Sequence, residues 1–354
     1  MIDQLELAWF AALCDDDYEQ LGVPAPELAS SYEHCAAIVH AADRAGFDSI
    51  LMPSGYALGI DTVTFAAAIS RTTHRIRPIV AVRMGEVWAP QLARQLASLD
   101  QLLEGRLVVN IISSDLPGES LPSAPRYRRT LENMNALRTL LDGEQLDAAG
   151  DFIRTSVAPP RVRTFSGHTP RLYFGGLSDD AREVAAEAAD VYLMWPDTID
   201  GLASVIADMR QRAAQHGRSL RFGYRVHVIV RETEALARAA AQHLVAALDP
   251  EVGEAIRAKS LDSQSVGVRA QASLRDDADL DGFVEPHLWT GIGRARSGCG
   301  AAIVGNPEQV AAKIRGYQAV GIDTFILSGY PHLGECERFA DLVMPLLRDQ
   351  PPGA

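Results

Sequence analysis

The chain has 354 residues, 47% of them apolar, which supplies a large core and excludes wholesale disorder. Its net charge of −13, from 33 basic and 46 acidic residues, argues against gripping nucleic acid through an overall field. The opening MIDQLELAWF has no basic n-region, and no window reaches the roughly 18 apolar residues of a membrane span. The expectation is a cytoplasmic protein with no membrane and no nucleic-acid partner. Cys14, Cys35, Cys299 and Cys336 show no C-x-x-C and no metal-ligand spacing, so free thiols and no metal site are expected.

Residues 5–12 read as a first strand. Residues 30–45 carry apolar side chains at helical spacing and stop at Gly46. A strand at 49–52 leads into the loop PSGYALG and a helix at 62–70. A strand at 79–82, a helix at 91–103 and a strand at 107–112 follow, then the polar loop SSDLPGESLPSAP. The alternation continues through a helix at 127–141, a hairpin insertion at 148–157, a strand at 172–174 and a helix at 179–188. Next come a strand at 191–195, a helix at 199–216, a strand at 222–230 and a helix at 232–247. The chain closes with a helix at 307–320, a strand at 324–327 and a helix at 335–347.

Eight short apolar strands alternating with helices require parallel pairing through crossovers, and eight such units close a (β/α)8 TIM barrel. A single domain over 1–354 is expected. An open doubly wound sheet is the alternative, but no unit opens with G-x-G-x-x-G. The run GIGRARSGCGAAIVG at 291–305 lacks that spacing and reads as a loop plus a buried segment. Residues 249–285 show no strand signal and are rich in charge, Ser and Gln. Between the seventh and eighth units they fall over the barrel mouth, either as a mobile lid or as a helical surface insertion.

Chemistry in such a barrel sits at the C-terminal ends of the strands. Arg225 and His227 share one apolar strand two residues apart, so both point to the same side. A guanidinium among the helices would be costly, so that side is the interior mouth. Arg296 lies in the glycine-rich run, and Tyr330 and His332 follow the last strand directly. Two guanidiniums, two imidazoles and a phenol suit an anionic substrate and proton handling. The stretch Gly175-Gly176-Leu177-Ser178 leaves a strand and enters a helix, either as an anion site or with Ser178 as a plain N-cap. Asn110 and Tyr127 face the same mouth. Trp9, Phe10 and Trp195 either line a flavin or pack the barrel.

The stretches FGYRVHVIVRET, LYFGGLS, HLWTGIGRARSGCGAAIVG and GIDTFILSGYPHLGE, with AADRAGF and ARQLASLDQLLEGR, extend over essentially the whole chain. In them the sequence resembles the flavin-dependent alkanesulfonate monooxygenases of the bacterial luciferase superfamily. The resemblance implies a luciferase-type barrel with a lid and reduced FMN (FMNH2) delivered by a separate NAD(P)H:FMN reductase. It implies O2 as co-substrate and cleavage of an organosulfonate to sulfite and an aldehyde. It also implies a homodimer or homotetramer built on the barrel helices.

By the same resemblance, Arg225, His227, Arg296, Tyr330 and His332 match active-site positions. The two arginines would hold the sulfonate and steady charge on the reacting oxygen. His227 would lie near flavin and substrate, while Tyr330 and His332 would position or protonate. Asn110, Tyr127, Gly176, Ser178 and Trp195 would take the cofactor. The family's histidine after strand one falls at about Cys14, and its cysteine after strand two falls at Leu58 or Gly59. These two departures lie on the substrate side of the mouth, where Trp9 and Tyr56 are also placed, and they leave open a simple alkanesulfonate, a sulfosugar such as sulfoquinovose, or a non-sulfonate. The alternatives are oxygenation of carbon or nitrogen in another anionic metabolite, a non-catalytic flavin-binding protein, and deazaflavin-dependent hydride transfer.

Overall fold

Short apolar runs form eight strands: β1 (Glu6–Phe10), β2 (Ser49–Met52), β3 (Arg77–Arg83), β4 (Val108–Ile112), β5 (Leu172–Phe174), β6 (Val191–Met194), β7 (Arg221–Val230) and β8 (Thr324–Ser328). The computed structural model describes residues 5–57, 59–258 and 265–348. Each strand pairs in parallel with the next, and β8 returns to β1 with Thr324 opposite Glu6, so the sheet closes into a barrel. Helices cover the outside, so the strands are buried on both faces and read as near-continuous apolar runs.

Alternation still divides the two faces. In β1, Leu7 and Trp9 join the core between sheet and helices, whereas Ala8 and Phe10 join Leu51, Ile79, Val108, Tyr173 and Ile326 inside the barrel. At the floor, Glu6 gathers Arg77 (3.1 Å), Arg171 (3.3 Å), Arg221 (3.7 Å) and the Ser49 hydroxyl (2.7 Å).

The outer helices that frame the mouth are α1 (Tyr32–Ala45), α2 (Thr62–Ile69), α3 (Ala89–Leu102), α4 (Ser123–Leu141), α5 (Asp179–Ala188), α6 (Ile199–Gln215) and α7 (Glu234–Val245). Several start on side-chain caps, among them Ser31, Asp61, Ser178, Thr198 and Thr233. The expected hairpin is an antiparallel pair, Leu146–Ala149 with Arg154–Val157. No helix among the described residues is long and apolar enough to cross a membrane.

Three regions differ from expectation. Residues 249–285 contain two helices, α8 (Pro250–Ala258) and α9 (Val266–Asp276), and a short strand, Phe283–Glu285; residues 259–264 lie outside the description. The buried part of 291–305 is a further parallel strand, Ala302–Gly305. It pairs with the upper half of β7, from His227 to Val230, while β6 pairs with the lower half. The helix α10 (Pro307–Ala319) then leads to β8, and the closing helix α11 (His332–Leu342) starts three residues earlier than expected, at His332 itself.

Candidate active site

The upper ends of β7 and β8 bring the charged set together. Arg225 and His227 are buried on one side of β7, while Tyr224, Val226 and Val228 face the helix layer. The Arg225 guanidinium lies 4.3 Å from the centre of the Phe10 ring and donates to the carbonyl of Val226 at 3.1 Å. His227 Nδ1 is 2.7 Å from the Ser328 hydroxyl. Its ring stacks on Tyr330 at 5.1 Å, and Tyr330 meets His332 edge-on at 5.1 Å. His332 stacks on Phe10 at 5.5 Å. Arg296 donates from Nη1 to the Tyr330 oxygen (2.6 Å) and to Asp16 Oδ2 (2.8 Å). All five residues expected in the charged cluster therefore meet.

Burial governs their electrostatics. It pushes the His227 pKa well below the ordinary value, and the nearby Arg225 and Arg296 charges push it further. His332 is also lowered by burial, although Asp17 and Asp16 partly oppose the shift. Both rings are therefore neutral at neutral pH, each offering one donor and one acceptor nitrogen. Burial raises the Tyr330 phenol and keeps it protonated. For Arg296 burial works against the charge, but the Tyr330 oxygen and the Asp16 carboxylate outweigh it and hold the pKa above the usual range.

The cluster has unmet hydrogen-bonding capacity. Among the described residues, Arg225 Nη2, His227 Nε2, both ring nitrogens of His332 and Asp16 Oδ1 are buried without a partner. Each such atom costs about 1–3 kcal/mol, and a polar ligand in the mouth would recover it.

The five residues expected to take a cofactor line one cavity of about 290 Å³ at the ends of β4, β5 and β6. Asn110, Tyr127, Gly176, Ser178 and Trp195 are joined there by Arg126 and by Arg269 from α9. Gly176 has φ +149, and a Cβ there would come within 2.6 Å of the Ala181 methyl, so the backbone needs glycine. The Tyr192 hydroxyl fixes this turn by donating to the Gly176 carbonyl at 2.5 Å. The Ser178 oxygen is occupied as an N-cap, accepting from the N–H of Ala181 at 3.2 Å. Trp195 packs between Gly267 of α9 and Gly298. The buried Gln271 of α9 donates to the Pro196 carbonyl at 2.6 Å, which seats the helix over the cavity.

The substrate-side expectations fare differently. Trp9 does not reach the mouth. It packs in the helix layer beside Phe47 (5.4 Å) and Phe339 (6.2 Å), because an odd position of β1 points outward, and Phe10 is the aromatic inside. Tyr56 is 74% exposed on the loop after β2. Cys14 does sit by the cluster, where burial and then Asp16 push its thiol up to about 12, so it is no thiolate. Leu58 lies outside the described residues. Gly59, at φ +75, backs onto the Leu13 carbonyl, and the Ile60 N–H donates to that same carbonyl at 3.1 Å. The loops after β1 and β2 are thus joined. Sequence reasoning missed Asp16, Asp17 and Ser328. The acidic run CDDDYEQ is the one signal for the two carboxylates, and it does not say which of them turns inward.

A closed parallel barrel with two arginines, two imidazoles and a phenol gathered at its C-terminal mouth is the arrangement in which α/β barrels carry active sites. A family model described as luciferase-like monooxygenase matches residues 9–324, and the chain belongs to that family. Among its relatives is the sulfoquinovose monooxygenase of Novosphingobium aromaticivorans, 61% identical over 353 residues and covering 98% of each chain. The sulfoquinovose monooxygenase of Agrobacterium fabrum is 49% identical, covering 98% of this chain and 91% of its own. In structure the chain is similar to a riboflavin lyase solved with modified FMN and riboflavin, with a TM-score of 0.80 at 18% identity over 98% of this chain and 92% of that one.

Proposed function

We propose that the protein is a two-component monooxygenase that cleaves the carbon–sulfur bond of sulfoquinovose. It would use reduced FMN supplied by a separate reductase, together with O2. The observation that carries this reading is the buried mouth in which Arg225 Nη2, His227 Nε2 and the His332 ring lack partners beside the charged Arg296. A sulfonate offers three acceptor oxygens and a full negative charge to such a set. The relatives named for sulfoquinovose, similar over nearly the full length, support the choice of sugar.

In the overall reaction, one oxygen atom goes to the carbon that carried sulfur and the other to water. Sulfite and an aldehyde leave. Reduced FMN, when bound, supplies the two electrons. The cavity fits such a group: a backbone cradle at Gly176, the first turn of α5, the buried Arg126 Nε without a partner and the ring walls of Tyr127 and Trp195. Arg126 and the α5 N–H groups would hold its phosphate.

The chain's own residues then do four things. Arg225 and Arg296 orient the sulfonate, and their charge stabilises negative oxygen as it develops. The neutral His227, held by Ser328, presents Nε2 to the reacting region. Tyr330 keeps its proton and, with His332, places a donor beside the substrate. The helix α9 covers the cavity through Ser265, Val266 and Gly267 and excludes water as a lid.

The test combines purified protein, a flavin reductase, NADPH, FMN and sulfoquinovose, with sulfite measured against NADPH consumed. Near-stoichiometric sulfite is expected. Absence of sulfite with sulfoquinovose and with simple alkanesulfonates, alongside continued NADPH oxidation, would overturn the reading. A product that gains oxygen and keeps its sulfur would point instead to carbon oxygenation.

A further inference from the structure

The His332 ring has no hydrogen-bond partner on either nitrogen among the described residues, so its aim depends on its own backbone and on packing. That backbone is held at both ends. The His332 N–H donates to Asp17 Oδ1 at 2.9 Å, and the His332 carbonyl accepts from Trp9 Nε1 at 3.2 Å. His332 is the first residue of α11, and the N-cap, Pro331, provides no side-chain cap. Asp17 takes the place of that cap from 315 positions away, where a carboxylate also suits the positive end of the helix. Its side chain is fully buried, and its other oxygen meets His34 Nε2 at 2.8 Å on the first turn of α1. Both oxygens of this buried carboxylate are engaged, and they tie the first turn of α1 to the first turn of α11.

We propose that Asp17 is a positioning residue that fixes the His332 peptide, with the Trp9 indole anchoring the opposite end of the same residue. This rests on the reading of the mouth as a sulfonate-cleaving site. It assigns Trp9 a part in the site through the backbone of His332 and none through the substrate. The Asp17 side chain is fully buried and its oxygens are spent on protein groups, so its loss is expected to act on the chemical step and to leave substrate capture in place.

Asp17→Ala is expected to lower kcat for sulfite release by roughly 10- to 100-fold, the scale of an ångström-sized misplacement. KM for sulfoquinovose should stay within about twofold, which a general loosening of the fold would not give. Asp17→Asn keeps an oxygen for the His332 N–H and should recover kcat to within about threefold of the unaltered enzyme. Amide hydrogen exchange at His332 should be slow in the unaltered protein and in Asp17→Asn, and faster in Asp17→Ala. Full kcat in Asp17→Ala, equal losses in the Ala and Asn variants, or a loss confined to KM would each overturn the proposal. If Asp17→Ala does not fold, Trp9→Phe tests the same peptide from its carbonyl end. There a fall of about 3- to 10-fold in kcat at constant KM is expected, and full kcat overturns the proposal. The unaltered enzyme runs alongside. No sulfite from it overturns the proposed function and this inference with it, whereas sulfite from it means that any change in the variants reports on how the His332 peptide is held.

Discussion

The two halves of the mouth are built on opposite plans. Around β7 and β8 the working groups are long charged or aromatic side chains, stacked, buried and short of partners. Around β4, β5 and β6 a glycine turn and a helix start share the wall with the side chains of Asn110, Arg126, Tyr127, Trp195 and Arg269, under α9. The first plan concentrates charge where water is scarce, which strengthens each contact with an anion and makes each unpaired atom costly. The second spreads two arginines, two aromatic rings and a glycine turn around a cavity of about 290 Å³. The halves should therefore fail in different ways when altered.

The largest effect is expected from Arg296→Ala, which removes a charge that Asp16 and Tyr330 hold in place. Turnover should fall by roughly 10²- to 10³-fold, as when an oxyanion donor is deleted. The melting temperature should also fall, because the Asp16 carboxylate loses its counter-charge. Adding Asp16→Asn should restore the melting temperature without restoring sulfite release. Retained turnover in Arg296→Ala would erase the distinction between the halves.

Next in size is Gly176→Ala, which places a methyl group against Ala181 at a positive φ. Flavin affinity, read by fluorescence titration, should weaken by about tenfold, equivalent to 1.4 kcal/mol. The charged cluster should be undisturbed, as judged by the pH dependence of stability. Unchanged affinity would move the flavin out of the β4–β6 half.

The smallest effect concerns acid. The His227 and His332 pKa values lie below the ordinary histidine value because the folded mouth resists protonation. The unfolded chain protonates near pH 6.5 and the folded one at lower pH, so stability is lost as the pH falls below about 6.5. The loss is at most about 1.4 kcal/mol per pH unit for each ring, read from urea midpoints at about pH 7.5 and pH 5.5. His227→Gln should flatten the slope. A slope unaffected by that change would mean that water reaches the β7 half of the mouth.

The same contrast explains what the sequence made legible. Arg225 and His227 stand out because a charged and a polar residue at period two in an apolar strand leave only the barrel interior for both. The barrel itself follows from eight alternations of strand and helix. Trp9 is misplaced by sequence reasoning because β1 is apolar throughout its upper part, so no polar residue marks its faces there. The strand Ala302–Gly305 hides behind a glycine run and is too short to show a period. The α8–α9 segment reads as polar because its helices bury few residues, among them Gly253 and Gln271. The contact between Asp17 and His332 depends on closure of the fold and leaves no local signal.

The pairing of β1 with β8 also bears on how the molecule is made. Glu6 lies opposite Thr324, Asp16 binds Arg296 and Asp17 binds His332, so β1 and the loop after it complete their contacts only with residues far along the chain, 280 positions on for Asp16 and 315 for Asp17. During synthesis, therefore, β1 waits with an unpaired edge until residues 324–326 have been made. Such long-range closure is slow, and an exposed strand edge in the interval invites wrong pairing. The working mouth is thus a late product of folding, and a chain released before residue 324 would carry most of the barrel and none of the completed cluster.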